Sequence, residues 1–120
     1  MVDVNCLKKM IYRITNIKDW QAAQITGYFE SADLKLEGFI HACSASQIEY
    51  VANTHYQDQG DLVILKIDET KLDAPLIWEN PNSKGETFPH VYGRIPATAV
   101  IGTVELKPNI EGWFFSPLTV

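Results

Sequence analysis

Gly38-Phe39-Ile40-His41-Ala42-Cys43-Ser44-Ala45-Ser46-Gln47 is the stretch on which the reading of the fold turns. Its first six residues are apolar apart from His41 and have the composition of a strand. Ser44 and Gln47 then stand at capping-box spacing, where each side chain satisfies a backbone N–H that the first helical turn leaves free, so a helix is predicted to begin there. Ile48, Val51, Ala52 and His55 follow at the three- and four-residue steps of one helix face. The strand therefore delivers His41 just ahead of a helix N-terminus. On that strand Phe39 and His41 share one face and Ile40 takes the other.

Upstream, Met10-Ile11-Tyr12-Arg13-Ile14-Thr15 is a β-branched and aromatic run that predicts a first strand. Asn16 is placed to cap a helix, with Asp19 favoured by the positive end of its dipole. Ile17, Trp20, Ala23 and Gln24 recur at helical spacing, Gly27 stops the helix, and Trp20 is expected to be buried. Downstream, residues 61–67 are too rich in Val, Ile and Leu for an exposed edge strand. Leu76-Ile77-Trp78-Glu79 is a further strand, and residues 80–85 are dense in turn formers. Phe88-Pro89-His90-Val91-Tyr92-Gly93 follows, and Pro89 argues for an edge or irregular segment because it cannot donate to a ladder. Residues 99–106 form a last strand, after which Trp113 and Phe114 are expected to pack on the core. Two early helices followed by a run of strands predict α+β with a largely antiparallel sheet. Neither GxGxxG nor GxxxxGK[ST] occurs, so no Rossmann or P-loop nucleotide site is supported.

The chain has 120 residues, 46% hydrophobic and 21% charged, the composition of one globular domain over residues 1–120. Residues 1–9 read as a polar extension and residues 107–120 as a C-terminal segment. The net charge is −5, and the ten Lys and Arg are scattered, the longest basic run being Lys8-Lys9. Binding to duplex nucleic acid, which needs a basic stripe, is therefore disfavoured, though a pocket for a single phosphate stays open. No apolar run approaches the roughly 20 residues that span a bilayer. The N-terminus lacks the apolar centre of a signal peptide, so a cytoplasmic protein with no membrane partner is expected. Cys6 and Cys43 are too few for a disulfide framework and are expected to be free thiols, Cys43 inside the sheet.

Two segments combine reactive groups with glycine and aromatics: Gly38-Phe39-Ile40-His41, and Trp78-Glu79 with Phe88-Pro89-His90-Val91-Tyr92. Taken by themselves, their carboxylate, imidazoles and phenol read either as a hydrogen-bonded structural corner or as the lining of a pocket for a ring-bearing ligand. A metal site built from His41, Glu79 and His90 has the right residue types, but no close spacing such as HxxxH supports it, and no metal is expected.

Tyr12-Arg13, Gly38-Phe39-Ile40-His41, Trp78-Glu79 and Phe88-Pro89-His90-Val91-Tyr92 resemble, in the same order, the signature blocks of a small bacterial family called domain of unknown function 952. Ser31 and Asp33 also fit its pattern, and the resemblance runs from about residue 10 to about residue 106. One departure is Cys43, where the family usually has serine; Ser44 follows directly. The family is grouped by fold with ADP-ribosyltransferases and RNA 2′-phosphotransferases. The resemblance thus implies a split sheet around an NAD-shaped cleft, with NAD as substrate and a nucleotide-like small molecule as partner.

By the same resemblance, Tyr12 or Arg13 holds the first ligand-facing position, His41 the second, and Glu79 or His90 the third. Glu79, His41 and His90 form the implied catalytic set, expected to line one cleft. Tyr12, Arg13, Ser31, Gly38, Phe39 and Tyr92 form the implied ligand-binding set. A carboxylate such as Glu79 suits the cationic ribose that develops when a glycosidic bond to nicotinamide breaks. Fold does not dictate function, and the alternative from another class is a non-catalytic module that binds a nucleotide or other small ligand.

Overall fold

A computed structural model describes residues 10–80 and 85–118. The apolar run ahead of Asp68 is strand β4 (Leu62–Asp68), flanked on both sides by antiparallel neighbours, β1 (Met10–Asn16) and β8 (Val100–Leu106). Its side chains alternate between two cores. Val63, Leu65 and Ile67 join Ile11, Phe29, Ile40, Val91 and Ile95 in one cluster. Leu62 and Ile64 join Ile14, Cys43, Ile48, Ala52, Leu106 and Phe114 in the other. A strand alternates its faces, so covering both faces requires apolar residues at successive positions, as from Leu62 to Leu65; Lys66 is exposed.

Helix α1 (Ile17–Thr26) begins at Asn16, whose Oδ1 accepts the Asp19 N–H at 2.8 Å, and ends at left-handed Gly27. Its apolar stripe is narrow: Ala23 is buried, but Trp20 is only half-buried at the margin of the first cluster. A two-stranded ribbon follows from β2 (Tyr28–Phe29) and β7 (Ile95–Pro96). Between β2 and the next strand lies α2 (Ala32–Glu37), which the sequence reading lacks. Six residues are too few to show a helical period, so the described residues hold three α-helices rather than the two expected. All three precede β4, and the α+β order stands.

The third sheet has the order β3 (Ile40–His41), β6 (Phe88–Val91), β5 (Leu76–Glu79), again antiparallel. The strand expected over residues 38–43 is thus cut to two residues, and Pro89 lies in the central strand rather than at an edge. Both corrections have one cause. The Ala42 N–H donates to the Pro89 carbonyl at 3.0 Å, but Pro89 has no N–H to return, so the ladder stops after His41. On its other side Pro89 stands opposite Trp78, between the pairs Ile77–His90 and Glu79–Phe88. Cys43 then pairs with Tyr12 through two N–H···O bonds of 2.8 Å and joins this sheet to the edge of β1.

The Ser44–Gln47 capping box is present, though it opens one turn of 3₁₀-helix (Ala45–Gln47) before α3 (Ile48–His55). Ile48 and Ala52 are buried and His55 is exposed. Phe114 is buried in the second cluster, whereas Trp113, expected to pack with it, is exposed. The Asn53 side-chain amide holds Phe114 by bonding both its N–H and its carbonyl, at 2.8 and 2.9 Å. Cys43 is a buried free thiol; Cys6, the extension of residues 1–9 and residues 81–84 of the expected turn lie outside the described residues. Among the described residues no helix is long and apolar enough to cross a membrane.

Candidate functional site

Strand pairing assembles the site. His41 on β3 and His90 on β6 are direct cross-strand partners, so their side chains leave the same face of the sheet. Their rings meet edge-on with centroids 5.1 Å apart. Strand periodicity puts Phe39 and Tyr92 on that face too. Phe39 stacks on the His90 ring at 4.1 Å and lies 5.2 Å from Tyr92. Across β5, Glu79 brings Oε1 to 2.9 Å from His90 Nδ1, and the Tyr92 hydroxyl donates to the same oxygen. These two bonds, Tyr92 first and His90 second, hold the Glu79 carboxyl below its ordinary range; the Tyr92 hydroxyl is correspondingly pushed up. His90 is 3% exposed, while Glu79 is about a third exposed.

A second cluster ties β1, α2 and β3 together. Arg13 Nη1 donates to Asp33 Oδ2 at 2.6 Å and to the His41 carbonyl at 2.9 Å. Asp33 Oδ2 also accepts the His41 N–H at 2.8 Å, and Asp33 Oδ1 accepts from the Ser31 hydroxyl. Burial alone would raise the Asp33 carboxyl, but the Arg13 guanidinium, the Ser31 hydroxyl and the His41 N–H together hold it below its ordinary value. The guanidinium also lies over the ring of Phe29, 5.6 Å from its centroid. Among the described residues, Arg13 Nε is the one fully buried side-chain nitrogen or oxygen without a hydrogen-bond partner.

Where the two larger sheets join at Tyr12 and Cys43, these clusters border a cavity of about 670 Å³. Of the residues named from the sequence, Tyr12, Arg13, Ser31, His41 and His90 line it. Glu79, Phe39 and Tyr92 do not. They stand behind the two histidines, so the expected cleft takes His41 and His90 directly and Glu79 only through its bond to His90. Gly38 has a different role. It is the left-handed C-cap of α2 at φ 88°, its N–H donating to the Leu34 carbonyl at 3.0 Å.

Tyr50, Val51, Thr54 and His55 from α3, together with Asp19, Tyr56, Asn80 and Phe88, also line the wall, and the sequence reading misses them as site residues. Only the exposure of an aromatic such as Tyr50 on an otherwise amphipathic helix hints at such a role. Cys43 also borders the cavity, but burial pushes its thiol up to about 12, so it is no thiolate nucleophile. Burial likewise raises the Tyr12 hydroxyl. His41 turns its Nε2 outward to Glu37 at 2.7 Å. Among the described residues no group of three or more His, Cys, Asp and Glu is arranged to hold a metal ion.

In chemical terms the cavity offers imidazoles, phenols, the edge of a guanidinium and the carboxylates of Asp19 and Asp33, the latter paired with Arg13, a set able to hold a ring-bearing ligand with hydroxyl groups. The chain is similar to the crystal structure of protein CC0527 from Caulobacter crescentus, at a TM-score of 0.79 and 31% identity, covering 88% of this chain and 93% of that one. The solution structure of CC0527 is similar at a TM-score of 0.75, with 31% identity over 88% of this chain and 90% of that one. No curated protein matches the chain. A family profile matches residues 14–103, which include both histidines, the Arg13 neighbour Ile14 and every strand of the third sheet. The chain therefore belongs to the family described as protein of unknown function (DUF952).

Proposed function

We propose that this cavity recognises a nucleotide of the NAD class, NAD itself or ADP-ribose, on an ADP-ribosyltransferase-like fold. Transfer or hydrolysis of ADP-ribose would be its catalytic form. The observation that carries the reading is the convergence of Tyr12, Arg13, Ser31, His41 and His90, from four separate parts of the chain, on one cavity of about 670 Å³. That volume is within the range of small-molecule sites. Arg13 supplies a donor for a phosphate or ribose oxygen, and the phenol and imidazole rings supply flat surfaces for a base. Of the two candidates for the third position, His90 borders the cavity and Glu79 stands behind it.

The test is a melting scan with NAD, ADP-ribose and AMP at millimolar concentration. A ligand at a hundredfold excess over its Kd stabilises the folded state by about 2.7 kcal/mol, a rise of several degrees for a domain of this size. The expected result is such a rise with NAD and ADP-ribose, reduced in His41→Ala. No shift with any of the three would remove the function and leave the fold untouched. A shift that His41→Ala keeps in full would move the ligand elsewhere. The engagement of the Glu79 carboxylate with Tyr92 and His90 keeps it from facing a developing ribose cation directly, and a module that binds without turnover is the alternative. Release of nicotinamide from NAD over hours decides between the two.

A further inference from the structure

We infer that His90 is the proton acceptor of this cavity and that Glu79 is its positioning residue, fixing the imidazole with the proton on Nδ1 and the lone pair of Nε2 open to the ligand. The assignment of a ligand rests on the nucleotide reading above; the state of the imidazole does not.

The two nitrogens of His90 have opposite surroundings. Nδ1 is 2.9 Å from Glu79 Oε1. That oxygen already accepts the Tyr92 hydroxyl, and the bonds it receives favour the ionised carboxylate, which has no proton to give. Nδ1 must then be the donor, and a neutral imidazole that donates from Nδ1 keeps its lone pair on Nε2. Nε2 has no hydrogen-bond partner among the described residues. It is not a sealed orphan either, since Arg13 Nε alone is both fully buried and unpartnered. The ring is 3% exposed, and His90 borders the cavity. Phe39 stacked at 4.1 Å and the edge of His41 at 5.1 Å restrict ring rotation. His41 is built the other way, half-exposed and turned to Glu37 on the surface.

The step this arrangement serves is attack by water or a ligand hydroxyl on an electrophilic carbon. As the oxygen forms its bond to carbon, the O–H bond breaks and its proton passes to Nε2. The leaving group departs with the electron pair of the carbon bond it loses. His90 becomes an imidazolium facing the Glu79 carboxylate, and it later returns the proton to the leaving group or to solvent, which restores the starting state. With NAD the electrophilic carbon is the ribose carbon bonded to nicotinamide, and no further oxidant or reductant is needed.

Long-range proton–nitrogen NMR of the ¹⁵N-labelled chain, at a pH where the imidazole is neutral, reads the tautomer directly; His90→Gln assigns the signals. The wild type is expected to show a protonated Nδ1 and an unprotonated Nε2. Glu79→Ala should change the tautomer ratio about tenfold toward Nε2–H, because a hydrogen bond to a charged group is lost. Glu79→Gln, whose carbonyl still accepts, should restore the wild-type ratio. Adding ADP-ribose should move the Nε2 resonance and leave Nδ1 in place. A protonated Nε2 in the wild type, or a ratio unaffected by Glu79→Ala, overturns the inference. So does an Nε2 resonance indifferent to ADP-ribose under conditions where the melting temperature rises. If ADP-ribose does not alter the melting temperature, the nucleotide reading falls, and the tautomer of the free protein still decides this one.

Discussion

Asp33 ties three elements of the site together through one carboxylate. Its carboxylate accepts from Arg13, Ser31 and the His41 backbone, so β1, α2 and β3 meet at one group. Arg13 and Asp33 are each nearly nine-tenths buried, and removing one partner leaves the other charge uncompensated. Asp33→Ala is expected to cost about 3 kcal/mol in urea unfolding. The folded-state carboxyl lies below its unfolded value, so its contribution is present above the unfolded pKa and lost as pH falls through the folded one. The acid limb of stability against pH should accordingly be shallower in Asp33→Asn than in the wild type. Cys43 supports a second expectation at this scale. With its thiol pushed up to about 12 and its side chain buried, it should resist iodoacetamide at pH about 8 in the native protein and react once urea unfolds it, as read by peptide mass.

Among the elements, caps were the most legible signals, because they are local. Asn16 with Asp19 and Ser44 with Gln47 form the bonds their spacing implies. Ser44→Ala is expected to cost about 1 kcal/mol, measured as a lower urea midpoint at unchanged slope. Elements too short to repeat their pattern were not legible. Helix α2 has six residues and β2 and β7 have two each, too few for a 3.6- or 2-residue pattern to declare itself, while β3 fills only two of the six positions read as a strand. Pro89 misled the reading for a different reason. Proline is excluded from a strand interior only where its missing N–H would face a partner that needs it. Here the missing N–H faces Ala42, and β3 ends at His41 while Pro89 stays inside β6.

At the scale of the whole molecule, β4 divides two cores, and the second reaches the C-terminal segment through Phe114. Phe114 packs in the same cluster as Cys43, Ile48 and Ala52, and Cys43 is also part of the cavity wall. Phe114→Ala should therefore cost about 3–5 kcal/mol in urea unfolding, the range for truncating a buried phenylalanine. It should also raise the iodoacetamide reactivity of native Cys43. A loss of stability with Cys43 still protected would mean that the second core relaxes without reaching the cavity.

Local sequence was enough to set the α+β class, the cap of α1, the capping box of the 3₁₀ turn ahead of α3, the central place of β4 and the blocks that hold His41 and His90. Each of these is written in neighbouring residues: a side chain and the backbone it caps, an apolar run covered on both faces, an imidazole beside an aromatic. Tertiary structure alone decided that His41 stands opposite His90, because antiparallel register joins residues 41 and 90, far apart along the chain. It also decided that Glu79 backs an imidazole instead of facing the cavity. A strand pattern gives the face a residue takes, but the lateral order of strands depends on which ladders form in space, and here that order puts β6 between β3 and β5.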